Sequence, residues 1–326
     1  MKVLSRIKSE HLVTIDIETV RLAEHFKDLD KGTQSAWEYK NKQDGKVPEL
    51  KELAKLWEQT SSLYAEFSKI CAVSLAYVHN GILYCKEFYG ADEKEILENL
   101  ALTLQNISNR GKEYRLAGHA AKYFDYPFLV KRFIINEMDI PMILDSTDAK
   151  PWEQMNLCTN ELWKVGGTGP GSSLQALCNT LKIPTSKVDL VGDEVGKAYF
   201  AGEYERIGRY CSYDAIATFN ILRTFKKESI YMFRDVIYID GQAGIKKEEI
   251  AEVCPLQMIY NSDYFSDDSK ESLRKTLSKK KLTKKDRELI STILEASYVK
   301  DGMFNKDSLD VKTAKLEEIQ EFLTTV

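Results

Sequence analysis

The chain has 326 residues, 43% hydrophobic and 29% charged, with only seven prolines and a formal net charge of −4. That composition supports one enlarged domain with an appendage and excludes a largely disordered chain. The acidic balance excludes a protein that grips nucleic acid over its whole surface, so any phosphate contact must be local.

In chain order, Leu12–Ile17 is a β-branched run leading into Asp16-Ile17-Glu18, and predicts a buried strand. The polar stretch from Arg21 to Phe67 is long for a strand connection. It predicts a turn at Asp44-Gly45 and a helix around Pro48–Leu63. Ile70–Val78 and Ile82–Phe88 flank His79-Asn80-Gly81, the strongest hairpin signal in the sequence. Apolar residues at 96, 97, 100, 101 and 104 form a helical stripe over Asp92–Ile107, with Asp92 placed to cap it. A short strand at Tyr114–Gly118 and a helix over 124–138 follow. Next come a glycine-rich loop at Gly166–Gly171, an amphipathic helix at Leu174–Leu181, and a long helix over Tyr204–Phe225. After Asp240 the texture turns helical and strongly charged, which places a boundary there. Residues 1–240 form the α/β domain, a mixed sheet with helices packed on it, and 241–326 a C-terminal helical extension.

Six cysteines stand at 71, 85, 158, 178, 211 and 254 without a Cys-x-x-Cys pair or zinc-ligand spacing. They read as reduced core thiols of a cytoplasmic protein. The N-terminus lacks the apolar run of a signal peptide, and nothing approaches a membrane span.

Three short segments carry candidate chemistry. Asp16 and Glu18 are two apart on a strand and project from the same face, so two like charges crowd one spot. A divalent cation would relieve that repulsion, although two ordinary acids at an exposed strand end fit as well. Asp125 follows a strand, a loop and Phe124 at the mouth of a helix, where it could act as a cap, approach a metal, or do both. Tyr210 and Asp214, four apart on a helix, share one face. Tyr213 lies on another and reads as packing. Taken singly, the third segment reads equally as an ordinary amphipathic helix.

Taken in order, the three sets resemble the DEDD exonuclease superfamily in its tyrosine-containing branch. The detail is closer still to the 3′→5′ exonuclease domain of family B DNA polymerases in stand-alone form. The residues that carry this resemblance are Asp16-Ile-Glu-Thr19, Gly118-His-Ala-Ala-Lys-Tyr-Phe-Asp-Tyr-Pro-Phe-Leu129, Lys150-Pro-Trp-Glu153 and Glu205-Arg-Ile-Gly-Arg-Tyr-Cys-Ser-Tyr-Asp214, and it covers about residues 10–228. It departs at Ala120, where the motif commonly reads Gly-His-Asn, and at Cys158, where related stand-alone enzymes have an acid.

The resemblance implies an RNase H-like fold and two Mg²⁺ or Mn²⁺ ions held by Asp16, Glu18, Asp125 and Asp214. Tyr210 orients the attacking water. Thr19 seats the terminal nucleotide, and Phe124 stacks on a base unless it belongs to the core. His119 touches a phosphate unless it is a structural loop histidine. The implied reaction releases 5′-mononucleotides from single-stranded DNA 3′ ends, in replication proofreading or repair, with a DNA polymerase or replication protein as partner. RNA trimming and a non-catalytic nucleic-acid-binding polymerase accessory are the alternatives. Between Lys270 and Arg287, nine cations face only Glu271 and Asp286. That run is either a solvated helix connection or a track for phosphates leading to the cleft.

Overall fold

The computed structural model describes residues 4–111, 113–145, 155–185 and 190–242. The segment Lys150-Pro-Trp-Glu153 and all but the first two residues of the 241–326 extension, with its basic run, lie outside the described residues. The fold is RNase H-like α/β, organised on a six-stranded mixed sheet.

Strand β1 (Leu12–Arg21) lies inside this sheet, and its alternation sets up both faces. Val13, Ile15 and Ile17 enter one core, while Thr14, Asp16 and Glu18 take the opposite face. Residues 22–67, between β1 and its partner strand, build a small unit of their own. Helices α1 (Lys31–Lys40) and α2 (Leu50–Thr60) close over Phe26, Trp37, Leu53, Trp57 and Phe67. Trp37 meets Trp57 edge-on at 5.3 Å and Phe67 at 5.0 Å, an arrangement the aromatic quadrupole favours. Helix α1 is absent from the sequence expectation. Its apolar periodicity is weak, and its buried anchor, Trp37, is a single residue.

Strands β2 (Ser68–His79) and β3 (Ile82–Tyr89) form the predicted hairpin. Asn80 and Gly81 have φ of 50° and 78°, the left-handed pair of a type I′ turn. Helix α3 (Glu93–Arg110) starts on Asp92, whose carboxylate accepts from the Lys94 and Glu95 N–H groups. Strand β4 (Arg115–Gly118) leads to α4 (Asp125–Ile135). A two-residue strand β5 (Leu157–Cys158), α5 (Thr159–Lys164), α6 (Leu174–Leu181) and α7 (Val195–Phe200) precede the long α8 (Tyr204–Lys226). Strand β6 (Val236–Asp240) closes the described domain.

The sheet order is β5-β4-β1-β2-β3-β6, with β1, β2 and β3 antiparallel, β4 parallel to β1, β5 parallel to β4 and β6 parallel to β3. Helices α3 and α4 cover one face through Leu97, Leu100, Leu129 and Phe133. Helix α8 covers the other through Ala215, Phe219 and Leu222. Gly208 lets α8 approach closely, because a Cβ there would fall 2.3 Å from the Tyr89 ring. All five described cysteines are free and buried, as the sequence predicts; Cys254 lies outside the described residues. Among the described residues no helix is long and apolar enough to cross a membrane.

Candidate active site

Strand β1 brings Asp16 and Glu18 to the α8 face at the C-terminal half of the strand. The strand is pinned under that helix by Thr14, whose buried hydroxyl donates to Ala215 O at 2.8 Å, and by the Cys211 thiol, which donates to Asp16 O. Between Glu18 and Thr19 the β1–β2 register slips by one residue, leaving Cys71 as an extra residue that donates to Glu18 O. A bulge of this kind re-aims side chains, and it falls beside the second acid. Helix α8 supplies Tyr210 and Asp214, one turn apart on the face that meets β1.

One carboxylate oxygen each from Asp16, Glu18 and Asp214 lies within 4.8 Å of the other two. Burial first, then the charges of Asp214, Asp125 and Glu18, push the Asp16 carboxyl well above its ordinary range. Burial, Asp214 and Asp125 do the same to Glu18. Three hard oxygen donors at this spacing fit a divalent cation such as Mg²⁺ or Mn²⁺, which would neutralise the charges that now oppose one another.

Asp125 reaches the same place from β4 by a different route. Strand β4 pairs with β1 only as far as Thr14, and the chain then turns so that Asp125 comes near the backbone of Ile17. Burial drives this carboxyl up to about 7, opposed by the N–H groups of Ile17 and of Asp125 itself. The capping expectation needs correction. Phe124 occupies the N-cap position, Asp125 is the first helical residue, and no side chain caps the helix. Asp125 stands outside the three-acid oxygen set but close enough to act on Asp16 and Glu18 by its charge. Gly118 permits the sharp turn after β4, since a Cβ there would meet Ala121 Cβ at 2.3 Å and Ile15 O at 3.1 Å.

Beside the acids opens a cleft of about 210 Å³ between α6 and α8, lined by Ser173, Leu174, Gln175, Cys178, Tyr210 and Asp214 among others. Tyr210, Asp214 and Ala217 present one stripe of α8 to it. Burial, then the charges of Asp214, Glu18 and Asp16, push the Tyr210 phenol far upward, so it stays a neutral hydrogen-bonding group. The α6 wall is absent from the sequence expectation, because Ser173 and Gln175 belong to no acid or aromatic motif.

Three candidate substrate residues have internal partners instead. The His119 ring bridges Thr159 Oγ1 at 2.9 Å and Ser172 O at 2.8 Å, so both nitrogens serve the loop structure. The Thr19 hydroxyl donates to Ser62 O at 2.8 Å and ties the 22–67 unit to the site's edge. Phe124 is half-buried, set against Phe128 at 5.3 Å and against the α3–α4 core. Tyr213 packs on Phe233 at 4.5 Å, off the site, as its helical position predicts.

Ala120 is the non-glycine residue at φ 60° in the loop after β4. Asparagine tolerates that left-handed conformation better than alanine, which gives a backbone reason for the Gly-His-Asn form of the motif.

The profile of a family described as "predicted 3'-5' exonuclease related to the exonuclease domain of PolB" matches residues 60–229, just over half of the chain. The match includes Asp125, Tyr210 and Asp214 and begins after β1, so the folded sheet adds Asp16 and Glu18 from outside it. A comparison with curated proteins gives no match.

Proposed function

Since the chain belongs to the family of predicted 3′-5′ exonucleases related to the exonuclease domain of PolB, we propose that it hydrolyses single-stranded DNA from the 3′ end to 5′-mononucleotides, in replication proofreading or repair. The observation that carries this reading is the convergence of Asp16, Glu18 and Asp214 oxygens within 4.8 Å, with Tyr210 one helical turn from Asp214 beside an open cleft.

Asp16, Glu18 and Asp214 would hold one divalent ion, and Asp16 with Asp125 would hold a second. Asp125, outside the three-acid oxygen set, would act largely through water. Bound there, the ions would supply a more acidic water and neutralise charge on the departing 3′-oxygen. The chain's own part is positioning. Asp125 is buried at the first residue of α4, so its carboxylate is placed beside β1 before any substrate arrives. Tyr210, held neutral by burial and its acidic surroundings, orients the attacking water through its hydroxyl rather than removing a proton from it. The cleft between α6 and α8 offers hydroxyl, amide and apolar groups together, a lining suited to a nucleotide.

End-labelled single-stranded DNA and RNA of the same sequence, incubated with Mg²⁺, Mn²⁺ or chelator, test the proposal. A ladder of 5′-labelled fragments shortening from the 3′ end, formed on DNA with metal and abolished by chelator, is the expected result. A ladder on RNA alone would reassign the substrate. Absence of any ladder would overturn the hydrolytic reading.

A further inference from the structure

Within this exonuclease reading, on which the inference rests, the strand behind the terminal nucleotide needs a surface to lie on. Phe124 does not supply one, because its ring is half-buried against Phe128. The residue before it behaves differently. Tyr123 is 66% exposed, and its ring is fixed in place. Its hydroxyl donates to Glu161 Oε1 at 2.8 Å, and Glu161 is held in turn by Lys122 at 2.9 Å. The Lys164 ammonium sits against the ring, 5.9 Å from its centre. The Tyr123 N–H closes a turn on Ala120 O at 2.9 Å, so backbone and side chain are both constrained.

The location is equally specific. Tyr123 lies two residues before Asp125, and Glu161 belongs to α5, whose first residue, Thr159, is bonded to His119. The same histidine bonds Ser172, next to the Ser173 that lines the cleft beside Asp214. This rim therefore runs from Asp125 to the cleft wall.

We propose that Tyr123 is a stacking platform for an upstream base of the single-stranded substrate, with Lys164 placed for the adjacent phosphate. An exposed aromatic face binds any base, and a cation beside it adds backbone attraction without reading sequence. Holding the ring by its hydroxyl removes part of the ordering penalty before binding.

The test uses the full chain with Mg²⁺ and two substrates: an oligothymidylate, and the p-nitrophenyl ester of thymidine 5′-phosphate, which has no upstream base. Tyr123→Ala is expected to raise KM about tenfold on the oligonucleotide and leave the ester unchanged, a loss typical of one stacked base. Tyr123→Phe and Tyr123→Trp, which keep an aromatic face but lose the hydroxyl tether, should fall between wild type and Tyr123→Ala, closer to wild type. Equal KM for Tyr123→Ala and wild type on the oligonucleotide would overturn the proposal. So would an equal loss on both substrates, or a Phe variant as impaired as Ala. Oligothymidylate binding is measured alongside by fluorescence anisotropy in Ca²⁺. If the wild type hydrolyses neither substrate, the exonuclease reading falls by itself. A Tyr123→Ala affinity equal to wild type would then overturn the stacking role, and a tenfold loss would uphold it.

Discussion

Two groups of acids in this molecule are handled in opposite ways. Glu93, at the start of α3, is surrounded by donors: Ile70 N–H at 2.7 Å, Arg132 Nε at 2.8 Å with a second guanidinium contact, and Asn136 Nδ2 at 3.1 Å. Arg132 also donates to Ala65 O, so the pair joins α3, α4 and the segment before β2. Glu87 is held similarly by the Ser212 hydroxyl at 2.7 Å and by Arg209. At the site, by contrast, what acts on Asp16 and Glu18 is chiefly burial and other carboxyls. Acids with a built-in cation are structural. Acids set against one another withhold stability that an external cation can return.

Mutating one member of each group should give opposite signatures. Asp16→Ala or Asp214→Ala is expected to reduce turnover by about 10³-fold or more. The metal-free melting temperature should hold steady or rise, because repulsion is relieved. Glu93→Ala leaves Arg132 buried with its charge unmatched and should cost about 3–5 kcal/mol of stability. Rate assays and thermal melts on the same preparations decide this. A destabilised Asp16→Ala, or a Glu93→Ala as stable as wild type, would erase the distinction.

Tyr210→Phe keeps the ring and removes only the hydroxyl. It should slow hydrolysis by about 10²-fold while leaving divalent-ion binding unchanged. Calorimetric titration with Mn²⁺ beside a rate assay separates the two effects, and an unimpaired rate would leave Tyr210 as packing.

Metal-free stability should also depend on pH. Folding raises the Asp125 carboxyl from an ordinary 3.8 to about 7, and Asp16 and Glu18 shift in the same direction. Between those values the folded state binds more protons than the unfolded one, so stability falls as pH rises. Melts in chelator should therefore drop from about pH 4 to about pH 7 through these groups. Mg²⁺ or Mn²⁺ should raise the melting temperature most at the alkaline end. A metal-induced shift that did not grow with pH would contradict the assignment.

The smallest effect concerns the loop after β4. Ala120→Asn should stabilise by about 0.5–1 kcal/mol, by relieving the left-handed alanine. Denaturant melts would show it as a higher midpoint at constant slope.

The parts legible in the sequence are those whose signals are local. The Asn80-Gly81 hairpin follows from turn chemistry, and α6 spans the predicted Leu174–Leu181 because its apolar stripe is bounded by Ser173 and Ile183-Pro184. Asp16 with Glu18 and Tyr210 with Asp214 follow from the two helix and strand periodicities. What stayed illegible depends on distant partners. Strand β5 is two residues long and exists only through Ala117 and Gly118. Strand β6 needs β3 beside it, and Arg132 is an ordinary helical arginine until Glu93 faces it. The side-chain commitments of His119 and Thr19 are tertiary as well, since Thr159, Ser172 and Ser62 are remote in sequence.

The bond from Thr14 to Ala215 spans 201 residues, and the site closes only where those two segments meet. Contacts of such sequence separation form late, after loop closure has been met by other packing. A chain emerging from the ribosome would carry Asp16 and Glu18 early, yet would have no three-acid centre until α8 has been synthesised and docked. Hydrolytic competence would then arrive in a single step at the end of folding. In refolding experiments the return of activity should lag the recovery of helical signal, and an unfinished chain would be unable to degrade the strands around it.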